Sequence, residues 1–296
     1  MISTGVLWGT GGLLGQLLST ASGMNSILVA TCRLLFGGLL VAAFMAVRSQ
    51  RPHFTAPLVR RVALLGVLAA LYQGGYFGAV LTADVSLATL ITVGAAPVFV
   101  LVAEWLLGWR QVDAGSVLVV ILALIALGLL VGLPHPGMTS STVALGALQA
   151  LAASAAFAAI TCLSTRSIPG LDGVATTACS FTLGGLLLGA VALVTGSPHL
   201  EHPSESLLLI VALAVFPTGL AYTLYFTGLP RVQPSMAVVV TLLEPLTSTI
   251  LAFVVLHERL SAGGLIGAGL LLVTIAVAAR KLITVDTAMS PGAAPK

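Results

Sequence analysis

Apolar runs and short polar breaks alternate along the chain with a spacing that fits a bilayer. Runs can be marked at residues 4–18, 27–47, 62–82, 86–107, 114–133, 143–163, 174–195, 207–228, 235–256 and 262–282. A hydrocarbon core of roughly 30 Å takes about 20 helical residues, so nearly all of these runs can cross it. The first is short. None alternates in polarity over about 10 residues as a barrel strand does, and unpaired strand edges are excluded from lipid, so the pattern predicts an all-α polytopic membrane protein with ten transmembrane helices. The runs at 114–133 and 262–282 are the most uniformly aliphatic, which assigns them to a lipid-facing scaffold. Interior Tyr, Gln, Thr, Glu and Pro concentrate instead in the third, fourth, eighth and ninth spans, where polar groups should face a cavity or the bundle interior.

Composition excludes a water-soluble domain. With 58% hydrophobic and 7% charged residues and a mean hydropathy of +1.13, too little polar surface remains to cover a water-facing exterior. The loops around residues 48–61 and 196–206 are too short for a soluble domain, and 284–296 reads as a disordered cytoplasmic tail. No charged stretch precedes the first run, so it reads as a retained helix and not a signal peptide. Cys32, Cys162 and Cys179 all fall inside spans, where cysteine acts as a small packing residue, and no disulfide framework is implied.

The basic residues orient the spans. With the N-terminus cytoplasmic, every Lys and Arg falls in a cytoplasmic loop or the tail except Arg259, which is external, and Arg33, which lies within the second span. By the positive-inside rule both termini are cytoplasmic. The net charge of +3 therefore reports topology and implies no nucleic-acid partner.

The chain also repeats itself. Cys32 with Gly37, Gly38, Leu39 and Leu40 recurs as Cys179 with Gly184, Gly185, Leu186 and Leu187 at one constant offset. Tyr76, Phe77, Ser86 and Thr92 recur as Tyr225, Phe226, Ser235 and Thr241, and Pro97 returns as Pro245. The reading is one five-helix unit at 1–138 and a second at 139–283. Five is odd, so the copies run through the membrane in opposite directions, an arrangement that many secondary transporters use to build a site reachable from either side.

Short motifs then acquire meaning in order: Trp8-Gly9 in the first span, Arg33-Leu34-Leu35 in the second, Gly219 to Tyr225, Leu243-Glu244-Pro245-Leu246, and Leu256 to Leu260. On a duplicated ten-span chain this set resembles the EamA-type members of the drug/metabolite transporter superfamily. The resemblance implies ten helices, cytoplasmic termini in a bacterial inner membrane, and a central cavity between the halves. It further implies export of small metabolites, with amino acids a frequent cargo. One departure is Gly108-Trp109-Arg110-Gln111, where the family often has Gly-Glu-Arg-Leu.

Glu244 is the leading candidate site residue. It lies near the middle of its span, where an acid costs about 2.5–3.5 kcal/mol on insertion scales. A carboxylate there can meet a substrate ammonium or carry a coupling proton; the alternative is a protonated acid that locks neighbouring helices. Pro97 and Pro245 each remove a helical N–H, so a kink or local unwinding is expected at both, with a gating role; Pro217 is a further gating or kink candidate, without a counterpart in the first copy. Gln73, Tyr76 and Val80 share one helix face, as do Thr218, Tyr222 and Tyr225, and hydroxylated rings with amides suit an amphipathic cargo. Weaker cavity candidates are Trp8 and Gln16 on the first helix, Gln149 with Ser154 on the sixth, and Thr92 and Thr241 beside the prolines. Arg33 reads as a snorkelling residue, with an external gate or carboxylate-recognition role as the alternative. Glu104 reads as interfacial. His199, Glu201 and His202 read as a solvated loop, and no metal site or cofactor is expected.

Three function classes remain to be weighed. A secondary transporter working by alternating access fits the inverted duplication and the buried acid, with a small-molecule substrate, the bilayer and a coupling proton as its partners, and no P-loop appears. Amphipathic or cationic drugs are the alternative cargo. A passive channel lacks rings of charge or repeated carbonyl filters. An intramembrane enzyme would need convergent acid, base or nucleophile groups, and the spans contain no His and no paired carboxylates.

Overall fold

The computed structural model describes residues 2–49, 55–83, 85–109, 114–131, 140–195, 203–255 and 262–288. Outside them lie Arg110 and Gln111, the His199–Glu201–His202 loop, the Leu256 to Leu260 motif with Arg259, and residues 289–296. All regular structure among the described residues is helical, apart from one isolated bridge between Ile168 and Leu171.

The helices are α1 (Ile2–Ser22), α2 (Ser26–Val47), α3 (Ala56–Thr82), α4 (Val85–Leu106), α5 (Ala114–Val131), α6 (Ser140–Ser164) and α7 (Gly173–Thr195). Two rods follow that are not continuous α-helix. The rod α8 runs Pro203–Ala214, passes through a π-helical stretch Val215–Leu220 and continues as Ala221–Gly228 before a 3₁₀ turn Leu229–Arg231. The rod α9 is divided by Leu242 into Pro234–Thr241 and Leu243–Val255, and α10 is Ala262–Ala288. Local chemistry starts several of them: Asn25 Oδ1 accepts the Leu28 N–H and Asp172 Oδ1 accepts the Ala175 N–H, each at 2.8 Å, so orphan donors of the first turn are capped. Proline opens α9, where its missing N–H has no cost.

Eight of these helices, α2 through α9, are long and apolar enough to cross a membrane. Of the ten spans expected, α1 and α10 stand apart. In α1, 21 residues suffice in length, but Gly, Ser and Thr dilute its leucines. In α10 the apolar part with described side chains is Ala262–Val277. The backbone of α10 stays helical to Ala288, past residue 284 where the tail is expected to begin, since a helix satisfies its own carbonyls for as long as it continues.

Packing comes in matched pairs. The longest interface joins α2 to α7, and α5 packs on α10; α3 lies on α6 and α7, as α8 lies on α1 and α2; α4 lies on α6, as the second half of α9 lies on α1. The aliphatic rods α5 and α10 also turn Leu118, Ile121, Ile125, Leu265, Ile266 and Val273 outward, fully in keeping with a scaffold role.

Small residues allow the central contact. A Cβ on Gly38 would collide with the backbone N of Thr182, and one on Gly185 would come within 2.5 Å of the backbone N of Leu35. These contacts are reciprocal, because Gly38 and Gly185, like Leu35 and Thr182, are related by the offset that relates Cys32 to Cys179. Lipid tails are as apolar as leucine, so helices in a membrane associate through close packing rather than expulsion from water, and a stripe without side chains is what permits it.

Overpacking of a tight contact costs about 1–3 kcal/mol. Gly38→Leu should therefore lower the thermal midpoint of the detergent-solubilised protein and its monodisperse fraction on size exclusion. Gly269→Ala, where a Cβ would meet nothing within 4 Å, should leave both unchanged.

Candidate functional site

The site grows from places where helices cannot close their own ladders. Pro217 has no N–H to offer the Leu213 carbonyl, and the Thr218 hydroxyl donates to that carbonyl instead, at 2.9 Å. The backbone widens here into its π-helical stretch, and π segments inside α-helices recur at functional sites. Arg33 crosses from α2 to this point. Its Nε donates to Thr218 Oγ1 at 3.2 Å and a terminal nitrogen donates to the Pro217 carbonyl at 3.4 Å. At 8% exposure Arg33 is buried, so the snorkelling reading is corrected: the widened ladder offers acceptors inside the bundle that the bilayer surface need not supply.

A second irregularity lies on α9. Leu242 N–H bonds to Val239 O at 3.2 Å and the Thr241 hydroxyl turns back to Val238 O at 2.7 Å, so the helix stops and restarts. The break puts Pro245 into the first turn of the new segment, where no N–H is required, and leaves Glu244 beside it at the positive end of the helix dipole. Its repeat mate Pro97 sits inside α4, which runs as one helix from Val85 to Leu106. Of the kink or unwinding expected at both prolines, an interruption of the helix is seen beside Pro245, whereas α4 continues as helix through Pro97. At the break, α1 presents Gly5 and Gly9; a Cβ on Gly9 would meet the Glu244 carbonyl oxygen at 2.9 Å, so α1 clamps the interruption at close range.

Three tyrosines lie within electrostatic reach of the charges at these two points. Glu244 is half-buried, makes no hydrogen bond among the described residues, and lies within electrostatic reach of Arg33, though the two form no direct ion pair. Both charges also act on Tyr72, Tyr76 and Tyr222, and the Tyr72 and Tyr222 hydroxyls are neighbours. Tyr76 shares a hydrogen bond with Thr89 at 3.1 Å, and the Thr92 hydroxyl ties α4 to α6 by donating to Ala150 O at 3.3 Å. Buried polar atoms without a partner in the structure include Gln73 Nε2, Gln149 Oε1, Ser154 Oγ and Trp8 Nε1. Gln149 lies against Gly75 and Gly78 of α3. Gln16, in contrast, is exposed.

Below lies an aromatic block. Trp8 packs on Tyr222 and Tyr225 with ring centroids 4.8 and 4.9 Å away, and edge-on to Phe157 at 6.0 Å; Phe181 meets Tyr222 at 4.5 Å and Tyr72 meets Phe157 at 5.1 Å. Five rods, α1, α3, α6, α7 and α8, contribute. The Tyr225 hydroxyl lies 2.8 Å from Thr161 Oγ1, and since Thr161 spends its one proton on Phe157 O at 3.0 Å, Tyr225 is the donor. Tyr72, Thr161, Phe157 and Phe181 were missed from sequence. Tyr72 was within reach, four residues before Tyr76, whereas the phenylalanines carry no polar atom that separates a cavity wall from lipid-facing packing.

Beyond the block lies the end bearing most of the arginines. A cavity of about 660 Å³ there has Leu65 and Phe226 of the aromatic core in its lining, together with Arg61, Arg166 and Arg231. Nearby, Glu104 is 2% exposed and its Oε1 accepts the Ser235 N–H at 3.2 Å, at the start of α9. The interfacial reading of Glu104 is corrected as well: the opening turn of α9 supplies an unpaired donor and the favourable end of a dipole, which together hold a carboxylate inside.

The described helices form a bundle of membrane-spanning length, with buried polar side chains beside an aromatic block. The EamA-like transporter family matches residues 1–132 and 144–280, and the chain belongs to that family. It is 30% identical over 289 residues to the uncharacterized transporter YwfM of Bacillus subtilis, covering 95% of this chain and 94% of that one. It is 25% identical over 256 residues to the uncharacterized inner membrane transporter YicL of Salmonella typhimurium, covering 85% and 84%. A crystal structure at 21% identity superimposes with a TM-score of 0.79 over 96% of both chains, a likeness of fold alone.

Thr218→Val keeps the shape but removes the hydroxyl that serves both Arg33 and the Leu213 carbonyl. Leaving buried groups unpaired costs about 1–3 kcal/mol, so the variant should melt several degrees lower in a thermal-shift measurement, and Thr218→Ser should restore most of the loss.

Proposed function

We propose that this transporter exports zwitterionic small metabolites, amino acids foremost, across a bacterial inner membrane by alternating access. The observation that carries the reading is the pair Arg33 and Glu244: opposite charges on α2 and α9, the first buried and the second half-buried, close enough to interact and yet not joined. An amino acid can bridge them, its carboxylate on the guanidinium and its ammonium on the carboxylate, with the Tyr72, Tyr76 and Tyr222 hydroxyls around it and its side chain against the aromatic block. Gln73, Gln149 and Trp8 carry spare hydrogen-bonding atoms for the same interior. The cationic-drug alternative is less well supported, because Arg33 adds a positive charge beside the acid.

The matched packing pairs and the reciprocal Gly38 and Gly185 contacts support two inverted five-helix repeats, 1–138 and 139–283, with ten spans and cytoplasmic termini. In this reading the break at Leu242 and the π-helical stretch are the points at which α9 and α8 flex, because few backbone bonds must be exchanged there. The aromatic block with Tyr225 and the Glu104 latch closes the arginine-bearing end. A path blocked by packed rings suits a gated carrier better than a passive channel.

Reconstituted proteoliposomes test this by counterflow with a panel of amino acids. Saturable exchange of zwitterionic members is expected, and Arg33→Gln or Glu244→Gln should each reduce it about tenfold or more, the equivalent of one charge-assisted hydrogen bond. If Glu244 also carries a coupling proton, the flux left in Glu244→Gln loses its pH dependence. Absence of flux for every amino acid, or full flux in both variants, would overturn the assignment.

A further inference from the structure

The cavity at the arginine-bearing end is separate from the interior pair and holds an imbalance of charge. Its rim carries Arg61 from α3, Arg166 from the loop between α6 and α7, and Arg231 from the end of α8. Topogenic arginines need only lie on the correct side of a membrane. These three come from distant stretches of chain and converge on one opening of about 660 Å³. Arg61 and Arg166 lie near enough to repel each other.

Their contacts do not neutralise them. Arg61 donates to the Leu163 carbonyl and Arg166 rests on the Trp109 ring, 4.5 Å from its centroid. The one acid in the lining among the described residues, Asp172, uses Oδ1 to cap α7. Ser164, also in the lining, has a buried hydroxyl with no partner in the structure. Among the described residues, three guanidinium groups therefore share this lining with one carboxylate, together with Leu65 and Phe226.

We infer that this cavity is a binding site for an amphipathic anion, a carboxylate or phosphate head held by Arg61 and Arg166 with a short apolar body on Leu65 and Phe226. Guanidinium forks match both head groups, and the cavity falls within the usual range of small-ligand sites. A soluble metabolite and a lipid head group offer the same chemistry.

Hexyl phosphate is a suitable probe, titrated against the full chain in nanodiscs and read as Trp109 fluorescence relative to a Trp109→Phe control. In phosphatidylcholine discs we expect saturable binding, weaker by about tenfold or more in the Arg61→Gln, Arg166→Gln double variant and for uncharged hexanol. The charge-retaining Arg61→Lys, Arg166→Lys protein should keep a measurable part of the affinity, and Arg231→Gln at the exposed rim guards against a double variant that fails to fold by weakening binding on its own. Discs containing phosphatidylglycerol separate the sources: competition assigns the site to a lipid head group, and undiminished binding assigns it to a soluble anion. Equal binding of hexanol, or affinity unchanged in the arginine variants, would overturn the site. The titration requires no transport, so a chain that carries no amino acid still reports on it.

Discussion

In hydrocarbon a backbone carbonyl without a partner has no water to turn to, and this constraint organises the molecule. Regular helices satisfy it by themselves. Three prolines test it, and each is accommodated differently: Pro97 within a continuous helix, Pro217 by a π-helical widening with Thr218 serving the stranded Leu213 carbonyl, and Pro245 by a break that makes it part of a new first turn. The latter two irregularities are where charge enters the interior. Arg33 is held by the groups that the widening exposes, and Glu244 stands in the first turn of the restarted helix.

The second requirement is close approach. Helices in lipid gain little from burying leucine against leucine, so contact depends on backbones that can come near one another. Gly38 and Gly185 allow this between α2 and α7, and Gly5 and Gly9 do so between α1 and the interrupted part of α9. The same stripes that hold the bundle together position its irregular segments. Scaffold and site therefore share residues, which is why the short motifs of the chain serve packing and chemistry at once.

Much of this was legible in the sequence. Run lengths and composition specify an all-helical membrane protein because the bilayer admits few alternatives. The duplicated Cys, Gly, Tyr and Pro spacings already pair α2 with α7 as equivalent elements. Glu244, Tyr76, Tyr222 and Gln73 stood out because a polar group deep in an apolar run is expensive. Less legible were residues whose environment depends on a neighbouring helix. Gln16 and Trp8 share a face of α1, yet one is exposed and the other lies in the aromatic block. Phe157 and Phe181 had nothing to mark them.

What the sequence determined by itself was the solvent: 58% hydrophobic residues in runs of about 20 require a bilayer and helices within it. Which charged side chains enter that solvent was settled only by tertiary structure. Arg33 and Glu104 each lie near the end of a span, where a long side chain can reach water, and nothing local distinguishes reaching out from turning in. The acceptors that draw Arg33 inward lie 184 and 185 residues away along the chain, and the N–H that receives Glu104 lies 131 residues away. Folding alone brings those groups within hydrogen-bonding distance, and only then does the interior become the better place for the charge.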